Sequence, residues 1–304
     1  MKKKILILSG GISKERSISL DTGEQVAKEL KKNGYKTKIS EPDKNLEKII
    51  ENFKPSVIFN ALHGQFGEDG YVQSILERFK IPYTHSGVIA SSLAMDKEIS
   101  KKIFIKNKIK TPRFFTYSYD ISASNLIKKI KKKFKFPVVV KPLNEGSSVN
   151  VYICNEINLI KIVNSIKNYR KILIEEFIGG REIQVAIMGD KKLGAIELKP
   201  KRKFYDYEAK YKKSSKTAHI MPAKIPPKKY KEVLKISEKI NKVLGCKGIS
   251  RCDFRFHNGI FFILELNTQP GMTDLSLVPE IARYKKITFL KLVKWMINDA
   301  SIKR

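Results

Sequence analysis

Short apolar runs alternate with longer segments of helical spacing from residue 1 to about residue 90. The first apolar run ends at Gly10-Gly11, and turn residues also separate the later runs from the helical segments. This order predicts a small parallel sheet with helices on its faces. The predicted strands are residues 4–8, 35–39 and 56–62, and the predicted helices are 19–33, 45–53 and 72–79.

Two further units of strands and helices follow. A short strand at 81–83 leads into a predicted helix over 88–107, and then come strands at 112–117, 137–141, 149–154 and 171–176 with helices at 124–134 and 158–167. The third unit has strands at 182–188 and 193–199, a helix at 228–244, a ribbon over 251–267 and a last helix at about 288–298. The polar segment 201–219 is too long for a simple connection, which predicts a functional lid.

The ribbon places charged residues inside two apolar runs, and two registers are open to it. A two-residue Asn258-Gly259 turn would pair 254 with 263 and put Asp253 on the face opposite Glu265. A three-residue loop over 257–259 would pair 254 with 262 instead. We predict the three-residue loop, because it gathers one wholly apolar face: Cys252, Phe254, Phe256, Ile260, Phe262, Leu264 and Leu266.

In that register the polar side chains collect on the other face, at one end of the ribbon. They are Arg251, Asp253, Glu265 and Asn267. A buried carboxylate usually has a cation, a metal or a hydrogen-bond partner. Carboxylate and amide oxygens suit Mg²⁺ or Mn²⁺, which commonly bridge proteins to phosphates. The pattern therefore predicts a metal site, and a structural ion pair between Arg251 and a carboxylate is the alternative.

Composition and charge narrow the possible partners. The 304 residues suffice for two or three subdomains, and the net charge of +31 suggests binding to nucleic acid. The lysines are spread along the chain, however, rather than gathered in one tract. Such a spread indicates an AT-rich coding bias that places many lysines on solvent-exposed surfaces. We therefore expect no nucleic-acid partner. A functional basic surface is the alternative. The positive electrostatic field of these residues would in either case attract an anionic nucleotide substrate.

Cysteine usage and hydropathy bear on the compartment. The three cysteines lack metal-ligand spacing and cannot all pair, which favours a reducing compartment. The start resembles the charged region of a signal peptide, but the apolar run behind it, residues 5–8, is too short for one. No segment approaches the ~18 apolar residues of a membrane span. We expect a cytoplasmic protein with no membrane partner.

Three glycine-rich loops are candidate binding segments, each with a plain structural alternative. Gly10-Gly11 follows a strand and is either an anion-binding loop or a tight turn. The segment 63–70 follows a strand at the sheet edge where open α/β sheets bind ligands. His63 is a candidate site residue there, while Glu68 and Asp69 are interpreted as caps of the next helix. The segment 141–148 is a phosphate-binding loop with Lys141 as a point charge, or a solvated hairpin.

Two more segments have weaker signals taken alone. Glu175 and Glu176 end a strand ahead of Gly179-Gly180, and such a hinge can present backbone groups to an adenine edge with Glu182 near a ribose. The polar segment also contains aromatic residues without helical or strand spacing, from Phe204 to Tyr211. They are either residues that pack when a ligand is present or anchors of a surface loop.

Together these segments resemble the D-alanine–D-alanine ligases, a family of the ATP-grasp superfamily. The resemblance runs in order over nearly the whole chain. It rests on Gly10-Gly-x-Ser-x-Glu15-Arg-x-x-Ser, His63-Gly-x-x-Gly-Glu-Asp-Gly70, Met95-Asp-Lys97, Lys141-Pro, Glu145-Gly-Ser-Ser148, Phe204-Tyr-Asp-Tyr-Glu-Ala-Lys-Tyr211, Ser250-Arg-x-Asp253, Glu265-x-Asn-x-x-Pro-Gly-Met272 and Ser276-Leu277-Val-Pro279. Asn150 departs from it, since a glycine is usual there.

The resemblance implies roles for individual residues. For ATP it implies Lys97, Lys141 and Lys210 at the phosphates, Ser148 at the γ-phosphate, Glu175, Glu176, Phe177 and Ile178 at adenine, and Glu182 at the ribose. For the amino acids it implies Glu15 with Ser147 and Tyr211 at the first ammonium, His63 nearby, and Ser276 with Leu277 at the second carboxylate. It also implies Arg251 and Gly271 as an oxyanion hole, and Asp253, Glu265 and Asn267 as ligands of two Mg²⁺ or Mn²⁺.

The same resemblance implies the fold and the reaction. The expected fold is α/β, with an N-terminal parallel domain (1–93), an ATP-grasp small lobe (94–180) and a large lobe (181–304) that includes the lid 201–219. The expected reaction joins two D-alanine molecules with ATP through an acyl phosphate, for peptidoglycan precursor synthesis, in a homodimer. Tyr211 favours an amine nucleophile, since depsipeptide-forming relatives tend to have Phe there.

Two alternatives stay open from the sequence. One is another ATP-grasp ligase with a different carboxylate or amine, including a D-alanine–D-lactate ligase. The other is a basic nucleic-acid-binding protein on an inactive ligase scaffold. Phosphate release with D-alanine favours the predicted reaction over both, whereas tight, salt-sensitive DNA binding without ATP hydrolysis favours the second.

Overall fold

Three sheets organise the residues that the computed structural model describes, which are 3–43, 45–200, 217–273 and 276–304. The first sheet is parallel with the order β2-β1-β3, as predicted. Its strands are β1 (Lys4–Leu8), β2 (Lys36–Ser40) and β3 (Val57–Asn60), and its helices are α1 (Arg16–Lys32), α2 (Leu46–Phe53) and α3 (Tyr71–Phe79). β1 lies in the centre, and its residues 5–8 are fully buried because their side chains are apolar on both faces.

The second sheet is antiparallel and has its own apolar core. Its order is β4-β7-β5-β6, with β4 (Phe114–Tyr117), β5 (Val138–Pro142), β6 (Tyr152–Cys154) and β7 (Ile172–Glu176). The helices of this part are α4 (Val88–Met95), α5 (Lys97–Lys106), α6 (Ala123–Lys133) and α7 (Leu159–Ser165). β6 begins later than predicted, because Ser147, Ser148 and Asn150 have positive φ angles of 48°, 59° and 55°, which interrupt an extended strand.

The third sheet is also antiparallel in the described residues and shares a core with the first. Its order is β10-β9-β8-β11-β12. The strands are β8 (Arg181–Met188), β9 (Lys191–Lys199), β10 (Ala218–Ile220), β11 (Ile249–His257) and β12 (Ile260–Asn267), followed or covered by α8 (Pro227–Leu244), α9 (Leu277–Tyr284) and α10 (Phe289–Asp299). Residues 218 and 219, predicted as part of the lid, belong to β10, and α9 was not predicted.

The predicted helix over 88–107 is wrong in one respect, because it is two helices that meet at Asp96. The backbone of Asp96 is extended, and its Oδ1 accepts hydrogen bonds from the amides of Glu98 at 2.8 Å and Ile99 at 2.9 Å. A side chain that caps the first amides of a helix starts a new helix at that point. As a result Lys97 is the first residue of α5.

The predicted register of the ribbon is also wrong. The turn is the two-residue Asn258-Gly259, with His257 opposite Ile260 and Phe254 opposite Ile263. Asn258 and Gly259 have φ angles of 47° and 75°, and Asn-Gly is the pair that such tight turns prefer. The buried apolar face therefore contains Phe261 and Ile263 rather than residues 260, 262 and 264.

A β-bulge restores the polar face all the same. The register shifts between Asp253 and Phe254, so that Leu264 is the extra residue and Asp253 lies opposite Glu265. Arg251 lies opposite Asn267 in the same way. The predicted grouping of these four side chains at one end of the ribbon is therefore confirmed, although the turn that was predicted to produce it is not the one observed.

Gly259→Ala is expected to lower the free energy of unfolding by about 1 kcal/mol, because an L side chain is strained at φ +75°. A Cβ atom there would meet nothing within 4 Å, so the effect comes from the backbone alone. Urea unfolding measures it. Gly179→Ala is the matched control, since its Cβ would make only ordinary contacts at 3.8 Å or more, and an equal loss in both variants would contradict the turn.

Candidate active site

Two cavities meet where the three sheets face one another. They have about 940 Å³ and about 700 Å³ of empty space, open mouths included. Lys97, Glu145 and Glu265 line both cavities. The first cavity is also lined by Glu15, His63, Ser147, Arg251, Asn267, Gly271, Ser276 and Leu277. The second is also lined by Lys141, Ser148, Glu175, Glu176, Phe177, Ile178, Glu182 and Asp253.

Every predicted site residue that the structure describes therefore lines one cavity or the other. Tyr211 and Lys210, predicted at the first ammonium and at the transferred phosphoryl group, lie outside the described residues. The amino-acid candidates line the first cavity and the nucleotide candidates line the second, while Lys97 lines both. Two substrates could thus approach each other at the shared Lys97, Glu145 and Glu265.

Glu15 anchors the floor of the first cavity. It precedes α1, and its carboxylate accepts a hydrogen bond from the Ser147 hydroxyl of the loop after β5. The backbone of Gly146 approaches this carboxylate so closely that a Cβ atom there would lie 2.5 Å from Glu15 Oε2. A larger residue would displace this carboxylate, so glycine helps the loop to bring Ser147 to Glu15.

His63 is neutral and firmly held. Its Nδ1 lies 3.1 Å from the carbonyl oxygen of Gln269, and its Nε2 lies 3.3 Å from Thr22 Oγ1. A carbonyl only accepts, so Nδ1 carries the proton and Nε2 accepts from the threonine hydroxyl. Burial lowers the pKa of His63 to about 4. The structure therefore supports a neutral imidazole at His63.

Glu68 and Asp69 do not share one task, and the helix-cap interpretation is wrong for Glu68. Asp69 accepts hydrogen bonds from the amides of Phe66 at 2.8 Å and Tyr71 at 3.0 Å, at the start of α3. Glu68 instead lines the first cavity, and its Oε1 accepts from the Gly64 amide at 3.1 Å. Burial, with the nearby Glu15 carboxylate second, raises the pKa of Glu68 to about 8. Only the fold reveals this site residue.

The polar end of the ribbon contains the ion pair that the sequence left as an alternative. Arg251 Nε lies 2.7 Å from Asp253 Oδ1, and its Nη2 donates to Oδ2 at 3.0 Å. Glu265 Oε2 lies 3.3 Å from Lys97 Nζ, and Asn267 Oδ1 accepts from the Gln269 amide at 2.9 Å. Each predicted metal ligand thus has a polar partner in this arrangement.

The donor set still fits a hard divalent cation. Asp253 and Glu265 are direct cross-strand partners, and Asn267 follows on the same face of β12. Within the described ranges no three His, Cys, Asp or Glu side chains group as metal ligands, so the amide oxygen of Asn267 would have to complete the set. Two carboxylates and an amide oxygen are ligands that Mg²⁺ and Mn²⁺ accept.

A buried triad of charges forms the wall of the second cavity. Glu175 lies between Lys141, at 2.6 Å from Oε1, and Lys101, at 2.8 Å from Oε2. Burial opposes ionisation of Glu175, but the two ammonium groups outweigh it and hold the pKa of its carboxyl below the usual value. Lys101, whose side chain is fully buried, was missed. The available signal was its position four residues after Lys97 on α5.

The hinge after β7 lines the second cavity together with this triad. Glu176 is held by Arg113, whose amide and Nε donate to its carboxylate at 2.9 Å and 2.8 Å. Glu182, at the start of β8, lies 3.4 Å from Arg255 Nη2. These contacts leave Phe177 and Ile178, both half-buried, between two anchored carboxylates. The side chain of Glu175 is paired with the two lysines rather than with a group of the hinge.

Gly271 and Ser276 close the far end of the first cavity. A Cβ atom on Gly271 would lie 2.9 Å from Ser276 Oγ, so the glycine lets the two segments meet. Ser276 Oγ also accepts from the Thr273 amide at 3.0 Å, and Ser276 immediately precedes α9, which begins with Leu277. The amides at a helix N-terminus favour an anion such as a carboxylate.

Comparison with known proteins decides the family. Residues 107–298 match the family model described as "D-ala D-ala ligase C-terminus", and residues 36–86 match the model "D-ala D-ala ligase N-terminus". The chain belongs to the D-alanine–D-alanine ligase family. The resemblance inferred from the motifs is therefore confirmed.

Relatives of known name agree with the family over the full length. The chain is 66% identical to the D-alanine--D-alanine ligase of Pelagibacter ubique, with 100% of both chains covered. It is 41% identical to the ligase of Paramagnetospirillum magneticum, with 99% of both covered. Two crystal structures of the Bacillus anthracis ligase match 98% of this chain and 97% of theirs, with TM-scores of 0.85 and, for the ATP complex, 0.84, at 34% and 33% identity.

The ligase family accounts for the order of the three sheets. The parallel α/β sheet at the N-terminus and the two antiparallel sheets after it form the predicted fold, in which an ATP-grasp unit follows the N-terminal domain. The predicted boundaries at residues 93 and 180 stay predictions. In the described part of this family member, no helix is both long and apolar enough to cross a membrane.

Proposed function

We propose that this chain joins two D-alanine molecules into D-alanyl-D-alanine while ATP becomes ADP and phosphate, for peptidoglycan precursor synthesis. The observation that carries the proposal is the pair of cavities that meet at Lys97, Glu145 and Glu265. One cavity contains groups for amino-acid ammonium and carboxylate, and the other contains buried lysines for phosphate. Membership of the ligase family and the ATP-bound relative support the same reaction.

The divalent cations belong to this proposal. Asp253, Glu265 and Asn267 would hold Mg²⁺ or Mn²⁺, two per site, at the polar end of the ribbon. Bound there, the cations supply neutralisation of phosphate charge. In that state Asp253 would serve both the cation and Arg251, since it lines the second cavity while it accepts from the arginine.

The first step is phosphoryl transfer from ATP to the carboxylate of the first D-alanine. Lys97 and Lys141 hold the phosphates and offset their charge, and Ser148 contacts the γ-phosphate. The backbone of the hinge 175–178 binds adenine, and Glu182 binds the ribose. Glu15 fixes the ammonium of the first D-alanine through its carboxylate, which Ser147 orients. The product of this step is an acyl phosphate.

The second step is attack by the amine of the second D-alanine on the acyl phosphate. Ser276 and Leu277 at the N-terminus of α9 bind its carboxylate. Arg251 and the amide of Gly271 stabilise the oxyanion of the tetrahedral intermediate. Neutral His63 lies in the wall beside the first substrate and adds no charge to it.

The lid remains part of the proposal alone. Residues 201–217 would cover the site and exclude the water that hydrolyses acyl phosphates, with Lys210 on the transferred phosphoryl group and Tyr211 beside Glu15. Tyr211 also favours an amine over a hydroxyl nucleophile. Family membership also supports a homodimer and a cytoplasmic location. It supports the domain limits 1–93, 94–180 and 181–304 as well. Light scattering in solution measures the oligomeric state.

The direct test is phosphate release from ATP with Mg²⁺ and D-alanine, with dipeptide measured by mass spectrometry. We expect both products in equal amounts and only when D-alanine is present. Release with another amino acid but not with D-alanine would reject the substrate, and depsipeptide formation with D-lactate would favour the D-alanine–D-lactate alternative. Salt-sensitive DNA binding without ATP hydrolysis would favour the nucleic-acid alternative.

A further inference from the structure

We propose that Glu68 is a catalytic residue that accepts the proton from the ammonium group of the second D-alanine. This inference rests on the proposed function, because it assigns one chemical step of that reaction. An amino acid enters the site as an ammonium, which has no lone pair for attack. Some group in the first cavity must therefore take a proton before the carbon–nitrogen bond can form.

The geometry of Glu68 is that of a base rather than of a structural carboxylate. It lines the first cavity with only 6% of its surface exposed. The Gly64 amide donates to Oε1 at 3.1 Å and so fixes the carboxylate plane. Within the described residues, the buried Oε2 has no hydrogen-bond partner. A buried polar atom without a partner is costly, which indicates that a ligand group completes it.

The other candidates in the cavity are less suited to take this proton. His63 Nε2 already accepts from Thr22, and burial holds the pKa of its ring at about 4, so the imidazole is a weak base. Glu15 accepts from Ser147 and is assigned to the first ammonium. Lys97 and Arg251 are cations. The other titratable or charged groups that line the cavity around Glu68 are Glu15, His63, Lys97, Glu145, Arg251 and Glu265. Of these, Glu145 is paired with Lys14, and Glu265 is paired with Lys97.

The environment also gives Glu68 the required basicity. Burial and the nearby Glu15 carboxylate raise its pKa to about 8, much nearer to that of an amino-acid ammonium than an ordinary carboxylate is. An entering ammonium would compensate the buried charge of the ionised form. Glu68 thus becomes a proton acceptor for the very group that the reaction has to deprotonate.

Two protons leave the nitrogen during this step. The ammonium gives one proton to Glu68 Oε2, and the lone pair left on nitrogen forms a bond to the acyl carbon. The carbonyl electron pair moves to the oxygen held by Arg251 and Gly271. When the carbonyl re-forms, the bond from carbon to the phosphate oxygen breaks, and the departing phosphate takes the electron pair and the second nitrogen proton. Glu68 returns its proton to water as the dipeptide leaves.

The test compares two nucleophiles in Glu68→Gln. With ATP, Mg²⁺ and D-alanine, we expect dipeptide formation to fall by about 10²-fold or more. Hydroxylamine is uncharged at neutral pH and needs no prior loss of a proton. Trapping of the acyl phosphate as D-alanine hydroxamate should therefore stay within a few-fold of the original chain. Glu47→Gln, which changes an exposed carboxylate of the same N-terminal unit, should alter neither product.

The pH dependence gives an independent check on the unmodified chain. Because Glu68 must be ionised to accept a proton, dipeptide formation at low D-alanine should rise with pH through about 8, whereas hydroxamate formation should not. Glu68→Asp, which keeps a carboxylate, should recover part of the dipeptide rate. If Glu68→Gln does not fold, the two pH profiles of the unmodified chain still decide the matter.

The outcomes separate failure of this inference from failure of the proposed function. Equal loss of dipeptide and hydroxamate in Glu68→Gln would show a structural role, and no loss of either would show no role. Superimposable pH profiles for the two nucleophiles would also overturn the inference. If the unmodified chain forms neither dipeptide nor hydroxamate from D-alanine, the proposed ligase function itself fails.

Discussion

Glu265→Gln is expected to lower the rate of dipeptide formation by ~10³-fold or more while the fold is kept. Glu265 lines both cavities and lies directly opposite Asp253, so its carboxylate is placed between the two proposed substrates. The substitution removes a charged ligand of the divalent cation, and such a cation stabilises transition-state charge by several kcal/mol. A loss of about 4 kcal/mol corresponds to a ~10³-fold lower rate. Steady-state phosphate release at saturating ATP and D-alanine measures the effect.

The control for this prediction is Glu238→Gln. Glu238 pairs with Lys192 and Lys242 at the surface and is not among the residues that line either cavity, so its variant should keep full activity. Mn²⁺ titration should also show weaker activation in Glu265→Gln than in the unmodified chain. Near-normal turnover with an unchanged Mn²⁺ requirement would mean that the metal assignment is wrong.

Lys101→Met is expected to lower the free energy of unfolding by about 3 kcal/mol and to raise the KM for ATP. Removing one partner of a buried ion pair leaves an uncompensated charge, which costs about 3–5 kcal/mol. The remaining contact of Glu175 with Lys141 places the cost at the lower end. Without Lys101, the negative charge of Glu175 would be compensated by Lys141 alone. Lys141 would then attract the phosphates of ATP less strongly. Urea unfolding and ATP titration of phosphate release measure the two effects.

Lys102→Met is the matched control one residue away on α5. Its side chain is mostly exposed and pairs with Glu98 at 2.7 Å, so the variant should change stability by less than about 1 kcal/mol and leave the KM for ATP unchanged. If Lys101→Met were as stable as Lys102→Met, Glu175 would have to be protonated, and the buried triad of charges would not exist at neutral pH.

The ribbon shows where reasoning from local pattern succeeds and where it stops. Alternation of apolar and polar residues predicted that Arg251, Asp253, Glu265 and Asn267 share a face, and they do. The predicted turn and strand pairing were wrong, because a strict alternation of faces allows no extra residue in either strand. The bulge at Leu264 breaks that period in one strand only, so the preferred Asn-Gly turn and the polar face exist together.

Helix and loop signals succeeded to a similar extent. The parallel sheet at the N-terminus and most element positions follow from short apolar runs and turn residues, which are local properties. The division of one long predicted helix at Asp96 depended on a single side chain that caps two amides. Composition alone could not show that this aspartate would leave the helical conformation to do so.

The sequence by itself determined the family, the order of the elements and nearly the whole candidate site, because these depend on residue type and spacing along the chain. The tertiary structure decided what each charge meets. It buried Lys101 against Glu175, turned Glu68 into the cavity beside Glu15, and paired Arg251 with Asp253. Burial and charge contacts come from strands and helices that are distant in sequence, and they set the pKa values on which the chemistry depends.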